Sequence, residues 1–195
     1  MAFLRSLLFY PLFYGFTAVL VIASVLAIPA GLKALKRVVS TWGVWQRWCV
    51  ETLLGIDIVV EGEVPDEAVL VAVKHESFFE AIDMPCLLSF PTVFAKRELF
   101  AIPGWGLSAR VYGLIPVARD KGARALREMV AKARERLREG RPLVIFPEGT
   151  RGEHGDCPAL QSGFAGIYKL LQAPVVPVAV NSGPNYHRLV KLPGT

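Results

Sequence analysis

From Ser6 to Leu32 the chain runs 27 residues without a formal charge. A helix that crosses a bilayer needs ~20 such residues, so this run is long enough to span or lie within a membrane. Aromatic residues gather at its start (Phe3, Phe9, Tyr10, Phe13, Tyr14 and Phe16), where an interfacial belt would sit. Pro11, Gly15 and Pro29 work against one straight helix, because proline lacks an amide donor and crowds the preceding turn. A second apolar stretch, Val38 to Ile58, carries Trp42, Trp45 and Trp48. Tryptophans three apart share one helix face and suit a membrane interface. Two membrane arrangements follow. One is a single spanning helix with the basic flank Lys33, Lys36 and Arg37 in the cytoplasm. The other is a helical pair dipping into one leaflet. A cleaved signal peptide fits less well, since its apolar core is usually ~7–15 residues with a small-x-small cleavage site.

The rest of the chain is different. Of 39 charged residues, 38 lie after Leu32. Residues 1–55 therefore read as a membrane-associated helical segment and 56–195 as an ordinary folded domain. With 53% hydrophobic residues, a disordered chain is excluded. Three scattered cysteines (Cys49, Cys86, Cys157) and three scattered histidines (His75, His154, His187) give no disulfide scaffold and no expected metal site. Net charge is +5, and the window Arg119–Arg141 alone holds nine Lys/Arg against four Asp/Glu. It reads either as the solvated face of a helix or as a basic face toward anionic headgroups, an acidic carrier or a phosphate-bearing cofactor. Nucleic acid is not an expected partner, for want of a recognition motif beside a membrane segment.

Short apolar runs alternate with helical patterns after residue 55. Strands are expected at Ile56–Glu61, Ala68–Val73, Thr92–Ala95, Leu114–Val117, Pro142–Phe146 and Val175–Val180. Helices are expected over Ser77–Leu88, Ile102–Tyr112 (entered through Pro103), Lys121–Glu139 and Gly163–Leu171. Pro177 places the last strand at a sheet edge or at a strand start. The pattern predicts an α/β domain, a mixed but largely parallel sheet flanked by helices.

His75 directly follows a buried strand and precedes a helix, the junction where open α/β sheets bind ligands. A histidine there can serve as general base if a carboxylate holds its tautomer, and Glu80 and Asp83 are the candidates. Ser77 and Glu80 also form the S-x-x-E capping box, which by itself would account for both. His154 and His187 lie in polar stretches and read as surface residues. The string F-P-E-G-T-R, Phe146 to Arg151, ends another buried strand, and G-L-I-P-V-A-R ends in Arg119.

Taken in order, His75/Glu80, Arg119, Glu148/Arg151 and Pro177 behind an apolar N-terminus resemble the four blocks of the glycerolipid acyltransferase family. The likeness is nearest to its 1-acyl-glycerol-3-phosphate acyltransferase branch. It covers roughly residues 35–185, and A-K-R-E-L-F-A-I-P-G-W-G (Ala95–Gly106) resembles the family's linker between its first two blocks. The family's usual aspartate is replaced by Glu80, one methylene longer, and its usual asparagine before the histidine by Lys74. Family members usually continue beyond Thr195, so a truncated chain is expected.

The resemblance implies an enzyme that moves a fatty acyl group from acyl-CoA or acyl carrier protein to a lysophospholipid hydroxyl. The sn-2 position of 1-acyl-sn-glycerol 3-phosphate is the first expectation. Glycerol 3-phosphate, dihydroxyacetone phosphate or a lyso-aminolipid are alternatives, as is a non-catalytic lipid-binding protein. His75 would be the general base and Glu80 its partner. Arg119, Arg151, Glu148, Lys96, Gly149 and Thr150 would form the phosphate site. Cys86, in a greasy helical stretch, reads as packing rather than an acyl carrier. No cofactor beyond the acyl donor is implied. The expected location is the cytoplasmic face of a membrane, the inner membrane of a bacterium.

Overall fold

The structure is a computed structural model, and it describes residues 2–65, 67–117 and 122–183. Five strands form the sheet: β1 (Leu70–Val73), β2 (Thr92–Lys96), β3 (Ile115–Val117), β4 (Leu143–Ile145) and β5 (Val175–Val178). Their spatial order is β3-β2-β4-β1-β5, and every neighbouring pair is parallel. The sheet expected to be largely parallel is wholly parallel over the described residues. The apolar runs explain why. Successive residues of a strand face opposite sides, so a strand buried on both faces must be apolar throughout. Leu70, Leu143, Phe94 and Ile115 pack under α5 (Gly122–Arg138) and α6 (Ser162–Leu171), while Val71, Val73 and Val144 pack under α3 (Phe79–Leu87). Strand β5 takes an edge, as Pro177 requires.

Two expectations fail. Residues 56–61 form no strand: Val59 is 75% and Val60 50% exposed, and the alternation finds no neighbour to pair with. The helix expected from Ile102 starts at Trp105 as α4 (Trp105–Tyr112), after a 3-10 turn at Arg97–Ala101. The chain doubles back between them so tightly that a Cβ on Gly106 would run into the Phe100 carbonyl oxygen.

The N-terminus is a helical pair, α1 (Ala2–Ala27) and α2 (Leu32–Trp48), the latter continuing into a π-helical turn at Cys49–Leu54. Helix α1 runs unbroken through Pro11. Its inner face is fastened to the rest of the fold at both ends. Arg5 donates to the Leu54 carbonyl, Phe9 and Phe13 bury against Cys49 and Val50, and Ser24 meets Ser108 of α4 at 2.7 Å. Its outer face leaves Leu7, Leu8, Val19, Ile22 and Leu26 more than half exposed. Helix α2 is bound to α3 by a bidentate Arg47–Asp83 pair (2.6 and 2.9 Å) and by Gln46 donating to the Phe79 carbonyl. Gly43 is the close-contact point, since a Cβ there would meet Cys86 Sγ at 2.6 Å.

Candidate active site

Parallel strands direct their carboxyl ends to one edge, and the sequence places its chemistry-bearing residues just beyond those ends. His75 lies two residues past β1. Its Nδ1 is 3.0 Å from Glu80 Oε1 on the first turn of α3. The same oxygen accepts the backbone N–H groups of Glu76 (2.6 Å) and Ser77 (2.7 Å). The other oxygen, Oε2, accepts Ser77 Oγ at 2.7 Å and Ser182 Oγ at 2.9 Å. The expected capping box closes only in part: α3 is capped at Phe78 without a side-chain cap bond, Glu80 accepts the Ser77 N–H, and Ser77 Oγ donates to Glu80 and accepts the Phe79 N–H. These bonds hold the carboxylate that the imidazole meets.

Glu80 is 1% exposed. Burial pushes its carboxyl up, but donation from His75 and from Ser77 outweighs this and holds it below the ordinary glutamate range. An ionised carboxylate only accepts, so the hydrogen between it and His75 sits on Nδ1. In the neutral imidazole, Nε2 then keeps its lone pair for a substrate proton. The ring lies against Phe146, centroids 4.2 Å apart.

Asp83, the other candidate carboxylate, is committed to Arg47 and serves helix packing. Cys86 packs against Gly43, and burial raises its thiol pKa first, with Asp83 adding to the rise, as its packing role requires.

The F-P-E-G-T-R turn follows β4, beside β1. Glu148 is 8% exposed, and its Oε2 accepts the backbone N–H of His75 at 2.9 Å. Gly152 N–H donates to the His75 carbonyl at 2.9 Å. The two loops are thus bonded together, and Arg151, next to Gly152, is carried to the same edge. Thr150 and Arg151 are exposed, and Arg151 has no hydrogen bond or ion pair among the described residues. Gly149 adopts φ 68°, a conformation that glycine reaches without strain, and makes the turn. Lys96 is exposed at the carboxyl end of β2, two strands from β1, or about 10 Å away at ~4.8 Å per strand. Arg119 and His187 lie outside the described residues.

Four residues of this site, or their roles in it, escape sequence reasoning. Glu76 is fully buried, with Lys74 Nζ at 2.8 Å, His154 Nδ1 at 3.1 Å and the Gly183 N–H at 2.9 Å. His154 is exposed, as expected of a surface residue, and its bond to Glu76 makes it a partner of the site loop as well. Ser182 and Gly183 follow β5, and Ser182 stands 102 positions from Glu80. No spacing in the sequence connects them; only the β1–β5 pairing does.

A family model described as Acyltransferase matches residues 56–181. The chain is 28% identical to 1-acyl-sn-glycerol-3-phosphate acyltransferase of Pseudomonas aeruginosa, over 98% of this chain and 77% of that protein. It is 31% identical to the Helicobacter pylori enzyme of that name, over 55% of this chain and 46% of the relative. To the human alpha form it is 28% identical, over 71% of this chain and 50% of that protein. The chain thus spans about half the length of the last two. The crystal structure of the 1-acyl-sn-glycerophosphate acyltransferase PlsC from Thermotoga maritima superimposes with a TM-score of 0.69 at 26% identity, covering 91% of this chain and 74% of that one. With the motif-bearing domain matched nearly end to end, and the sheet and its carboxyl-edge loops in the order just described, the chain belongs to the acyltransferase family.

Proposed function

We propose that the protein transfers a fatty acyl group from an acyl thioester to the free sn-2 hydroxyl of 1-acyl-sn-glycerol 3-phosphate, giving phosphatidic acid. The observation that carries this reading is the Glu80-oriented His75 at the carboxyl edge, in a chain whose relatives bear that activity in their names. His75 Nε2 takes the hydroxyl proton as the alcohol oxygen attacks the thioester carbonyl. The tetrahedral intermediate then collapses, the C–S bond breaks, and the thiolate takes the proton back from the imidazolium. Glu80 holds the ring and stabilises its transient charge. Base catalysis of this kind contributes about 10²–10⁴-fold. A thioester is already activated, so the scheme needs no covalent enzyme intermediate.

Arg151, Arg119 and Lys96 would hold the acceptor's phosphate, since guanidinium grips phosphate through paired N–H groups. Gly149 and Thr150 would shape that turn. Glu148 would act through the His75 backbone, which it holds. The donor is acyl-CoA or acyl carrier protein.

We further propose that the α1–α2 pair lies in one leaflet. By length and composition Arg5–Ala27 would suffice to cross a bilayer. However, α1 is fastened to the domain at Leu54 near one end and at Ser108 near the other. A helix so attached along its length would draw the domain into the bilayer if it spanned. Its exposed apolar face instead suits insertion parallel to the surface, on the cytoplasmic side, where it would admit an acceptor without leaving lipid.

The test is direct. Membranes holding the protein are given a labelled acyl-CoA or acyl carrier thioester with each of lysophosphatidic acid, glycerol 3-phosphate and a lyso-aminolipid. Label in phosphatidic acid, highest with lysophosphatidic acid, is the expected result. Preferred transfer to another acceptor overturns the acceptor assignment, and no transfer to any overturns the reaction.

A further inference from the structure

Glu76 sits between the two residues of the site motif, yet it is not part of that motif. It is fully buried, and a buried carboxylate persists only with compensating partners. Here the partners come from three separate stretches of chain. Lys74 lies on its own loop, His154 on the loop after the F-P-E-G-T-R turn, and the Gly183 N–H on the segment after β5. Burial raises its carboxyl pKa, and donation from Lys74, Gly183 and His154 outweighs this, so that it stays ionised. Next to Gly183 stands Ser182, whose hydroxyl donates to Glu80 Oε2. Space at this junction is tight: a Cβ on Gly183 would come within 2.9 Å of Glu76 Oε2 and 3.1 Å of His154 Cβ.

We propose that Glu76 is a positioning residue for acyl transfer. It pins the Ser182–Gly183 segment and the His154 loop to the His75 loop, and thereby seats the Ser182 hydroxyl on Glu80, the carboxylate that orients the imidazole. Its action is indirect, since its carboxylate faces Lys74, His154 and Gly183, whereas His75 is held by Glu80 and Glu148. The inference rests on the proposed role of His75.

Two readouts separate positioning from mere support of the fold. The first is kinetic coupling. If Glu76 acts through Ser182, removing both costs no more than removing Glu76 alone, whereas independent sites multiply. The second is a pH profile, read in Ser182→Ala, which changes no charge. The charged groups about His75 among the described residues are Glu80 from α3, Glu148 from the turn after β4, and Lys74 and Glu76 on its own loop, with His154 beyond Glu76. With one donor fewer, Glu80 becomes the more basic and stabilises the imidazolium more. The acidic limb of kcat/KM then moves up. Glu76→Gln is unsuited to this readout, because its lost charge and its displaced donor push the imidazole in opposite directions.

The experiment uses the full chain in lipid vesicles, with acyl-CoA and lysophosphatidic acid as substrates and kcat normalised to folded protein. Glu76→Gln is expected to lower kcat about tenfold with KM within about twofold, Ser182→Ala about threefold, and the double variant about tenfold rather than thirtyfold. Ser182→Ala should also show the upward limb. A multiplicative double variant, an unmoved limb, or wild-type kcat in Glu76→Gln with only a lower Tm would each overturn the proposal. Should Glu76→Gln fail to fold, Glu76→Asp, which keeps the charge but shortens its reach to Gly183, takes its place in the cycle, with the same non-multiplicative outcome expected and a multiplicative one overturning the proposal. His75→Ala is the control: activity retained there would sink the reading of the site itself, while an inactive His75→Ala beside an unaffected Glu76→Gln sinks only this inference.

Discussion

The two edges of the sheet bury charge in opposite ways. At the amino edge, Arg141 precedes β4, is 3% exposed and donates to the carbonyls of Phe90 and Pro91. Its guanidinium carbon lies 3.6 Å from the Phe90 ring centroid, and Lys36 of α2 approaches that ring at 4.0 Å. Burial pushes its pKa down to about 10. At the carboxyl edge, buried Glu80 is ringed by donors and buried Glu148 accepts the His75 N–H, while Arg151 and Lys96 remain exposed. One edge is closed around its cation and joins the helical pair to the domain. The other fixes its anions and leaves its cations free to meet a ligand. Exposed cations at the same edge as an oriented imidazole would suit the phosphate-bearing acceptor proposed above, and among the described residues the amino edge offers no such pairing.

The largest expected contrast comes from His75→Ala. It should lower kcat/KM by about 10³-fold, within the range for a lost general base, with Tm nearly unchanged. Activity within tenfold of wild type would remove the chemistry from this edge. Glu80→Gln is next, with an expected loss in kcat of about 10–100-fold. Glutamine keeps an acceptor for the Glu76 and Ser77 amides but lacks the charge that stabilises the imidazolium. The stability profile gives an independent check. Because the folded carboxyl of Glu80 sits below its ordinary value, its contribution is fully present above an unfolded pKa of about 4.3 and is lost as pH falls through the lower folded value. The fall in Tm below pH 4 should therefore be shallower in Glu80→Gln than in wild type, and identical curves would mean that the donors do not act on that charge.

The contrast between the edges was only half legible from sequence. Continuous apolar runs announce β1 and β4, Pro177 announces the edge strand, and the H-x-S-x-x-E and F-P-E-G-T-R strings announce the carboxyl edge, because short-range spacing sets those features. What was hidden depends on pairing. Ser182 reaches Glu80 only because β5 lies beside β1. Asp83 shares α3 with Glu80, yet α2 supplies Arg47 and takes it out of the site. The alternation at 56–61 mimics a strand because sequence cannot show that no neighbour is there. Arg141 counts toward a basic surface in sequence and is a buried structural cation in the fold.

A smaller effect on activity is expected at Arg151, because it acts on binding rather than on the reacting atoms. Arg151→Ala should raise KM for lysophosphatidic acid about tenfold, the worth of a charge-assisted hydrogen bond, with kcat within about threefold. An unchanged KM would return that exposed guanidinium to solvent and shift the phosphate site toward Lys96 and Arg119.

Arg141→Met should have the least effect on chemistry and the greatest on the fold. Methionine fills much of the volume, but the Phe90 and Pro91 carbonyls lose their donor, and Phe90, at φ 54°, is held in a conformation a bulky residue resists. Breaking such a buried cation site costs about 3 kcal/mol, or roughly 6–12 °C in Tm for a chain of this size. Since α2 meets the same ring through Lys36, the loss should also loosen the helical pair, seen as faster hydrogen exchange in α2. The folded fraction should keep kcat within about twofold. A marked fall in kcat per folded molecule would mean that the amino edge is coupled to the site through β4, which directly joins Arg141 to the F-P-E-G-T-R turn, and the separation of the two edges would then be one of distance alone.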